Sequence, residues 1–366
     1  MEKYQQSIRE MLELVETCRY LAAADIHEKI KAELEGLSET DPVHQEVTKS
    51  LSENPIIQTM LERVKRIHTV LHFEDTSENW ILGADMFGIQ THYRKCEDDP
   101  NEIIVKIEGT LDNLPLFEQM AVMHEIDLYK DWAPFCSNSV LVDKIGKAEL
   151  YGYISVGLPV FSRDLLFHAY GADCMQEHGK VVILGNSVEE KEYTTKEVPW
   201  RAEGWLHKRM SIKELEAIVE AISPTAAKTK IIARVDLNAP LPHSLINFLI
   251  RKLAGILLYV LQRQAVRIQT DHSCAHAERI RANSAFYRDW LLPKLRHYCD
   301  LRKWEQPVIS CLGEDGIPIS RFPAGVEASE TTAAEKSAQH QRSNISDSLP
   351  VGTEISAVTT ALAQED

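Results

Sequence analysis

The stretch that most constrains this chain runs from Leu245 to Leu261, reading Leu245-Ile246-Asn247-Phe248-Leu249-Ile250-Arg251-Lys252-Leu253-Ala254-Gly255-Ile256-Leu257-Leu258-Tyr259-Val260-Leu261. Its apolar residues fall on nearly every side of a helix, so the helix must be covered all round. Asn247, Arg251 and Lys252 interrupt it, and an Arg or Lys near a bilayer centre costs about 2.5–3.5 kcal/mol on insertion scales. Spanning a membrane is therefore disfavoured. A soluble domain can cover such a helix by laying it across a curved sheet, over an apolar cavity or a bound hydrophobic ligand.

The preceding residues fit that solution. Residues 229–237 read as a strand, and Leu241-Pro242 turns the chain into the helix. Upstream, strand-like segments recur at 88–94, 102–108, 140–145, 149–156, 163–170, 180–188 and 200–211, with one helix at 114–126. Strands, one helix, many consecutive strands and a terminal helix indicate an α+β fold with an antiparallel sheet, not βαβ alternation. Residues 1–72 read as a helical hairpin. Asn54-Pro55 supplies a cap and a first-turn proline, and Ile57, Met60, Leu61, Val64, Ile67 and Leu71 follow the helical period. The expected domains are 1–72, helical; 80–267, the sheet and its helix; 268–304, a basic helical extension; and 311–366, a disordered acidic tail poor in large apolar residues.

The formal charge of −15 argues against a general nucleic-acid binder. It hides a basic segment, since residues 261–304 carry nine Lys and Arg against four Asp and Glu. The seven scattered cysteines form no Cys-x-x-Cys pair, which favours reduced thiols. The N-terminus has no apolar signal core, and the cytosol is the default address, with a peripheral place at membranes. His272, Cys274 and His276, with His297 and Cys299 further on, lack the usual zinc spacing. No metal or cofactor is expected. No nucleophile elbow, Walker loop or dinucleotide fingerprint occurs, so no catalytic residues are assigned.

Between Trp80 and Arg267 the chain resembles a START domain, the steroidogenic acute regulatory protein-related lipid transfer module of the helix-grip superfamily. The resemblance rests on Glu108-Gly109, Leu111-Asp112, Tyr129-Lys130-Asp131-Trp132, Leu158-Pro159-Val160-Phe161-Ser162-Arg163-Asp164-Leu165, Val198-Pro199-Trp200-Arg201-Ala202-Glu203, and Asp236-Leu237 with Leu241-Pro242 and Ser244–Asn247. It implies a curved antiparallel sheet wrapped around a long C-terminal helix. A tunnel between them would hold one sterol, phospholipid or other acyl lipid.

By register with that family, Arg163, Leu165, Phe167 and Ala169 should look into the cavity. Sterol-carrying relatives place a buried Arg–Glu pair where this chain has Ala169 and Leu150, which implies a more apolar floor. Arg163 is left either to meet a ligand head group or to join a structural ion pair. Trp132, Trp200 and Trp205 are candidate tunnel residues. Leu245, Leu249, Leu253 and Leu257 form one row of the lid helix, and Ile256 belongs to a second. The basic extension, with Arg279, Arg281, Arg288, Lys294 and Arg296 interleaved with aromatics, suits either an anionic membrane surface or a solvated helix face packing on the helix-grip or the N-terminal hairpin. The expected role is to carry one lipid between membranes. The alternatives are a lipid-responsive scaffold acting on a protein partner through residues 1–72, and an acyl-lipid enzyme.

Overall fold

In the computed structural model the described residues are 1–72, 79–86, 88–96, 99, 102–157, 162–238 and 255–312. The first half of the apolar helix, with Leu245, Leu249 and Leu253, lies outside them, as does the acidic tail.

Residues 1–72 form four helices: α1 (Glu2–Glu16), α2 (Tyr20–Glu35), α3 (Pro42–Glu53) and α4 (Pro55–Leu71). The expected single hairpin is therefore two. The reason is local, because Asp41-Pro42 starts a helix in the same way as Asn54-Pro55. The Asp41 carboxylate accepts from Val43 N at 2.7 Å and the Asn54 amide oxygen from Ile56 N at 2.9 Å, each capping a helix whose first residue is proline.

Among the described residues ten strands make one sheet: β1 (Ile81–Met86), β2 (Ile89–Lys95), β3 (Glu102–Leu111), β4 (Cys136–Lys144), β5 (Glu149–Gly157), β6 (Ser162–Cys174), β7 (Lys180–Val188), β8 (His207–Arg209), β9 (Ser211–Ser223) and β10 (Ala226–Asp236). Their order is β1-β2-β3-β10-β9-β7-β6-β5-β4, and short β8 runs parallel to the start of β6. The strand expected over 200–211 shrinks to β8. In exchange β9 appears, where Ser-Ile-Lys-Glu-Leu-Glu-Ala-Ile-Val-Glu-Ala-Ile-Ser has a helix former's composition. Period-two alternation and two pairing partners override that propensity.

Helix α5 (Leu116–His124) and helix α6 (Gly255–Thr270) lie together across one face of the sheet. The architecture is the α+β helix-grip that the START resemblance implies. The opposite face is covered by the N-terminal helices, with Met11, Ile57, Met60 and Ile67 in one core with Tyr170, Cys174, Val182 and Leu184. After α6 come α7 (Ala275–Ala282), a short helical turn (Ser284–Phe286) running into a π-helical turn (Tyr287–Leu291), and α8 (Leu292–Arg302). The aromatic residues of this extension do not face solvent. Phe286, Tyr287, Leu291, Leu295 and Tyr298 are buried in one core with Phe117 of α5 and Leu261 of α6.

Candidate functional site

The inner face of the sheet is built by alternation. On β5, Leu150, Ile154 and Val156 point inward; on β6, Leu165, Phe167 and Ala169 do the same; β7 adds Val181 and Ile183. On β9 a bulge at Lys213 breaks the pairing with β10, so that Ile212 and Leu215 reach the same side. Gly152 stands opposite Phe167 on this floor, and a Cβ there would come within 2.5 Å of the Phe167 ring. Its lack of a side chain gives Phe167 and Ile126 room to meet.

These residues do not fill the space below the helices. A cavity of about 400 Å³ remains between sheet, α5 and α6, with Met120 and Met123 from α5 and Leu257, Leu258 and Leu261 from α6 in its wall. Its surface is overwhelmingly apolar. The polar groups on it are few: His124, Tyr129, Trp132, Tyr170, Asp173, Trp290, Lys294 and the Cys18 thiol. His124 is stacked on Phe286 with ring centroids 4.0 Å apart. Burial pushes the Tyr129 hydroxyl above its usual range, and that hydroxyl donates to Met123 O at 2.9 Å.

Leu150, Leu165, Phe167, Ala169, Trp132 and Leu257 thus line one cavity. Leu150 pairs with Ala169 across β5 and β6, so the floor there is apolar on both strands. Glu149, one residue before, faces the other way. Its carboxylate receives Arg63 Nη2 at 2.5 Å and His168 Nε2 at 2.8 Å. Burial alone would raise its pKa, but the hydrogen bonds from His168 and Arg63 more than reverse that and hold it at about 2.

Four expected residues lie elsewhere. Arg163 is buried at the start of β6, where Nε donates to Leu237 O at 2.7 Å and Nη1 to Ser162 O at 2.8 Å. It ties β6 to the end of β10, which leads into the lid helix, and does not line the cavity. Trp200 packs edge-on against Tyr153, on the outer side of β5. Trp205 is 92% exposed at a tight turn closed by Gly204 N and His207 O. Beside it, buried Asp164 accepts from Tyr153 Oη at 2.7 Å and Arg209 Nη1 at 3.1 Å. Ile256 is half-buried and off the cavity wall, because its neighbours Leu257 and Leu258 take the inward positions.

Of the basic residues, Arg279, Arg281 and Arg288 are exposed, although Arg279 is ion-paired with Asp127. Lys294 is half-buried and paired with Asp173, 2.6 Å away. Two contributions to the wall had no sequence signal. Cys18 comes from the α1–α2 corner, where its φ of 63° turns the chain sharply. Phe286, Trp290, Leu291, Lys294 and Leu295 come from the extension. The aromatic content of 286–298 is legible in the sequence, and the structure uses it in the second of its two readings, packed on the helix-grip.

Among the described residues no helix is long and apolar enough to cross a membrane. No family model matches the chain, and no curated protein matches it. Solved structures similar to it include the following three. Human STARD10 is 16% identical, with a TM-score of 0.48 over 64% of this chain and 87% of that one. Human StAR-related lipid transfer protein 5 is 14% identical, with a TM-score of 0.46 over 58% of this chain and 99% of that one. A STAR-related lipid transfer protein fragment from Xanthomonas axonopodis is 18% identical, with a TM-score of 0.41 over 52% of this chain and 99% of that one.

Proposed function

We propose that this chain binds one hydrophobic lipid between the sheet and helix α6 and carries it between membranes. The observation that carries this reading is the apolar cavity of about 400 Å³ on the inner face of the sheet. It falls within the roughly 300–1,000 Å³ of small-ligand pockets, and its walls offer almost nothing to a polar ligand. The mechanism is physical. The lining replaces the bilayer around the lipid, and each 100 Å² of apolar lipid surface kept from water is worth about 2.5 kcal/mol. No covalent step is needed for this.

For the membrane contact we assign the turn at Trp205-Leu206. Both side chains are exposed, at 92% and 55%, and the backbone of Leu206 is held by Ser162 N at 2.8 Å, at the start of β6. Arg163 links that same start to Leu237, where β10 leads into the lid helix. An exposed Trp at a membrane interface keeps its apolar body in the headgroup region. Docking at this turn would thus bear on the strand start that Arg163 ties to the end of β10.

The test is transfer of lipid from labelled donor vesicles to acceptor vesicles by the purified full chain. Catalytic acceleration over spontaneous exchange supports carriage. Binding of lipid without any acceleration would instead support a sensor.

A further inference from the structure

One polar patch of the cavity wall forms where helix α8 and the α1–α2 corner meet the end of strand β6. Lys294 of α8 donates to Asp173 Oδ2 at 2.6 Å and to Thr17 O at 3.2 Å. The backbone closes the same corner, with Asp173 N donating to Cys18 O at 2.8 Å. The second Asp173 oxygen accepts from Met175 N at 3.2 Å. Both carboxylate oxygens are therefore engaged, while an ammonium has three protons to give and two are spoken for. Four residues before Lys294 on the same side, Trp290 lines the cavity, its ring centroid 5.1 Å from the Lys294 nitrogen. The indole N–H of Trp290 is buried and has no hydrogen-bond partner among the described residues. A buried donor left unpaired is costly, and a ligand oxygen would relieve it.

This patch offers donors, and its carboxylate is already neutralised, so it is matched to an oxygen acceptor on an otherwise greasy molecule. Volume limits that molecule. A 150 Å³ apolar cavity holds one benzene, so about 400 Å³ accommodates roughly sixteen carbons by the same ratio. That is the size of one acyl chain.

We propose that the cavity takes a single-chain lipid whose carboxyl oxygen, as free acid or as ester, is held by the Lys294 ammonium and the Trp290 indole N–H. The assignment rests on the carrier reading above and narrows it to a ligand class.

Equilibrium dialysis of the full chain against radiolabelled palmitic acid, methyl palmitate and hexadecane tests it. The expected result is tighter binding of acid and ester than of the alkane. Trp290→Phe keeps the ring and removes the donor. It should weaken acid and ester roughly two- to tenfold, the range for one neutral hydrogen bond, and leave hexadecane unchanged. The pair Lys294→Met with Asp173→Asn removes both charges together, so neither is orphaned; it should weaken acid and ester further. The acid-to-ester ratio tells a carboxylate preference from a carbonyl preference. Binding of all three ligands that is indifferent to both variants would overturn the head-group assignment and leave the carrier reading standing. Failure of all three to bind the unaltered chain would remove the carrier reading itself.

Discussion

Leu150 on β5 and Ala169 on β6 stand directly opposite each other, and both face the cavity. Where the START resemblance places a buried charge pair in sterol carriers, this chain has two small or aliphatic side chains and open space. The floor is therefore a place where volume, not charge, decides what fits. Ala169→Leu should fill part of that space in a low-strain position. The account predicts a fall in bound lipid per protein and a thermal midpoint that is unchanged or higher, since a void is being filled. Lipid extraction with calorimetry on the same sample checks both. Undiminished lipid content would mean that the ligand lies elsewhere.

The Arg63–Glu149 contact does the opposite work on the other face, fastening α4 to β5 and, through His168, to β6. Removing one partner of a buried pair leaves the other uncompensated, so Arg63→Met should destabilise by roughly 3 kcal/mol. The Glu149 carboxyl is held at about 2 against an ordinary 4.5, so its contribution is complete above the ordinary value and is lost as pH falls toward 2. Acid titration followed by circular dichroism should show the variant unfolding at a higher pH than the parent. Coincident curves would show that the contact contributes nothing.

Glu118 of α5 carries the reverse shift. It is wholly buried, and burial pushes its carboxyl up to about 8. The folded state thus prefers the proton, and the stability tied to it is complete below about 4.5 and declines as pH rises toward 8. Glu118→Gln keeps the shape and cannot ionise. Urea unfolding at pH 5, 7 and 8.5 should give similar midpoints at the lowest pH and a growing advantage for the variant above it. Parallel pH dependence in the two proteins would refute a buried, neutral Glu118.

Trp205 touches nothing that stability depends on. Trp205→Ala should leave the unfolding midpoint within about 0.5 kcal/mol of the parent, as for most surface changes, and leave lipid content intact, while slowing transfer between vesicles. Vesicle flotation run alongside separates the possibilities. Unchanged flotation and unchanged transfer would remove this turn from the membrane contact.

Much of this was legible in the sequence, for identifiable reasons. The all-round apolarity of 245–261 demanded cover, and alternation along 163–170 placed Leu165, Phe167 and Ala169 on one face. What escaped did so where local and tertiary preferences disagree. Strand β9 is written in Glu, Ala, Leu and Ile, and only its pairing with β7 and β10 makes it a strand. Trp205 and Trp132 are alike as letters, yet one closes an exposed turn and the other lines the cavity. Lys294 counted as a surface charge because its partner Asp173 lies 121 residues away in sequence. The wall residues from α8 and from the α1–α2 corner could not be anticipated, since no local period says which distant segment will close a cavity.

Native mass spectrometry of the full chain, after incubation with mixed liposomes and re-isolation, asks the central question most directly. The predicted spectrum contains the protein plus the mass of one lipid molecule, and Ala169→Leu shifts the population toward the bare protein. A spectrum of bare protein alone, from a sample that remains folded, would contradict the claim that the hollow under α6 exists to hold a lipid.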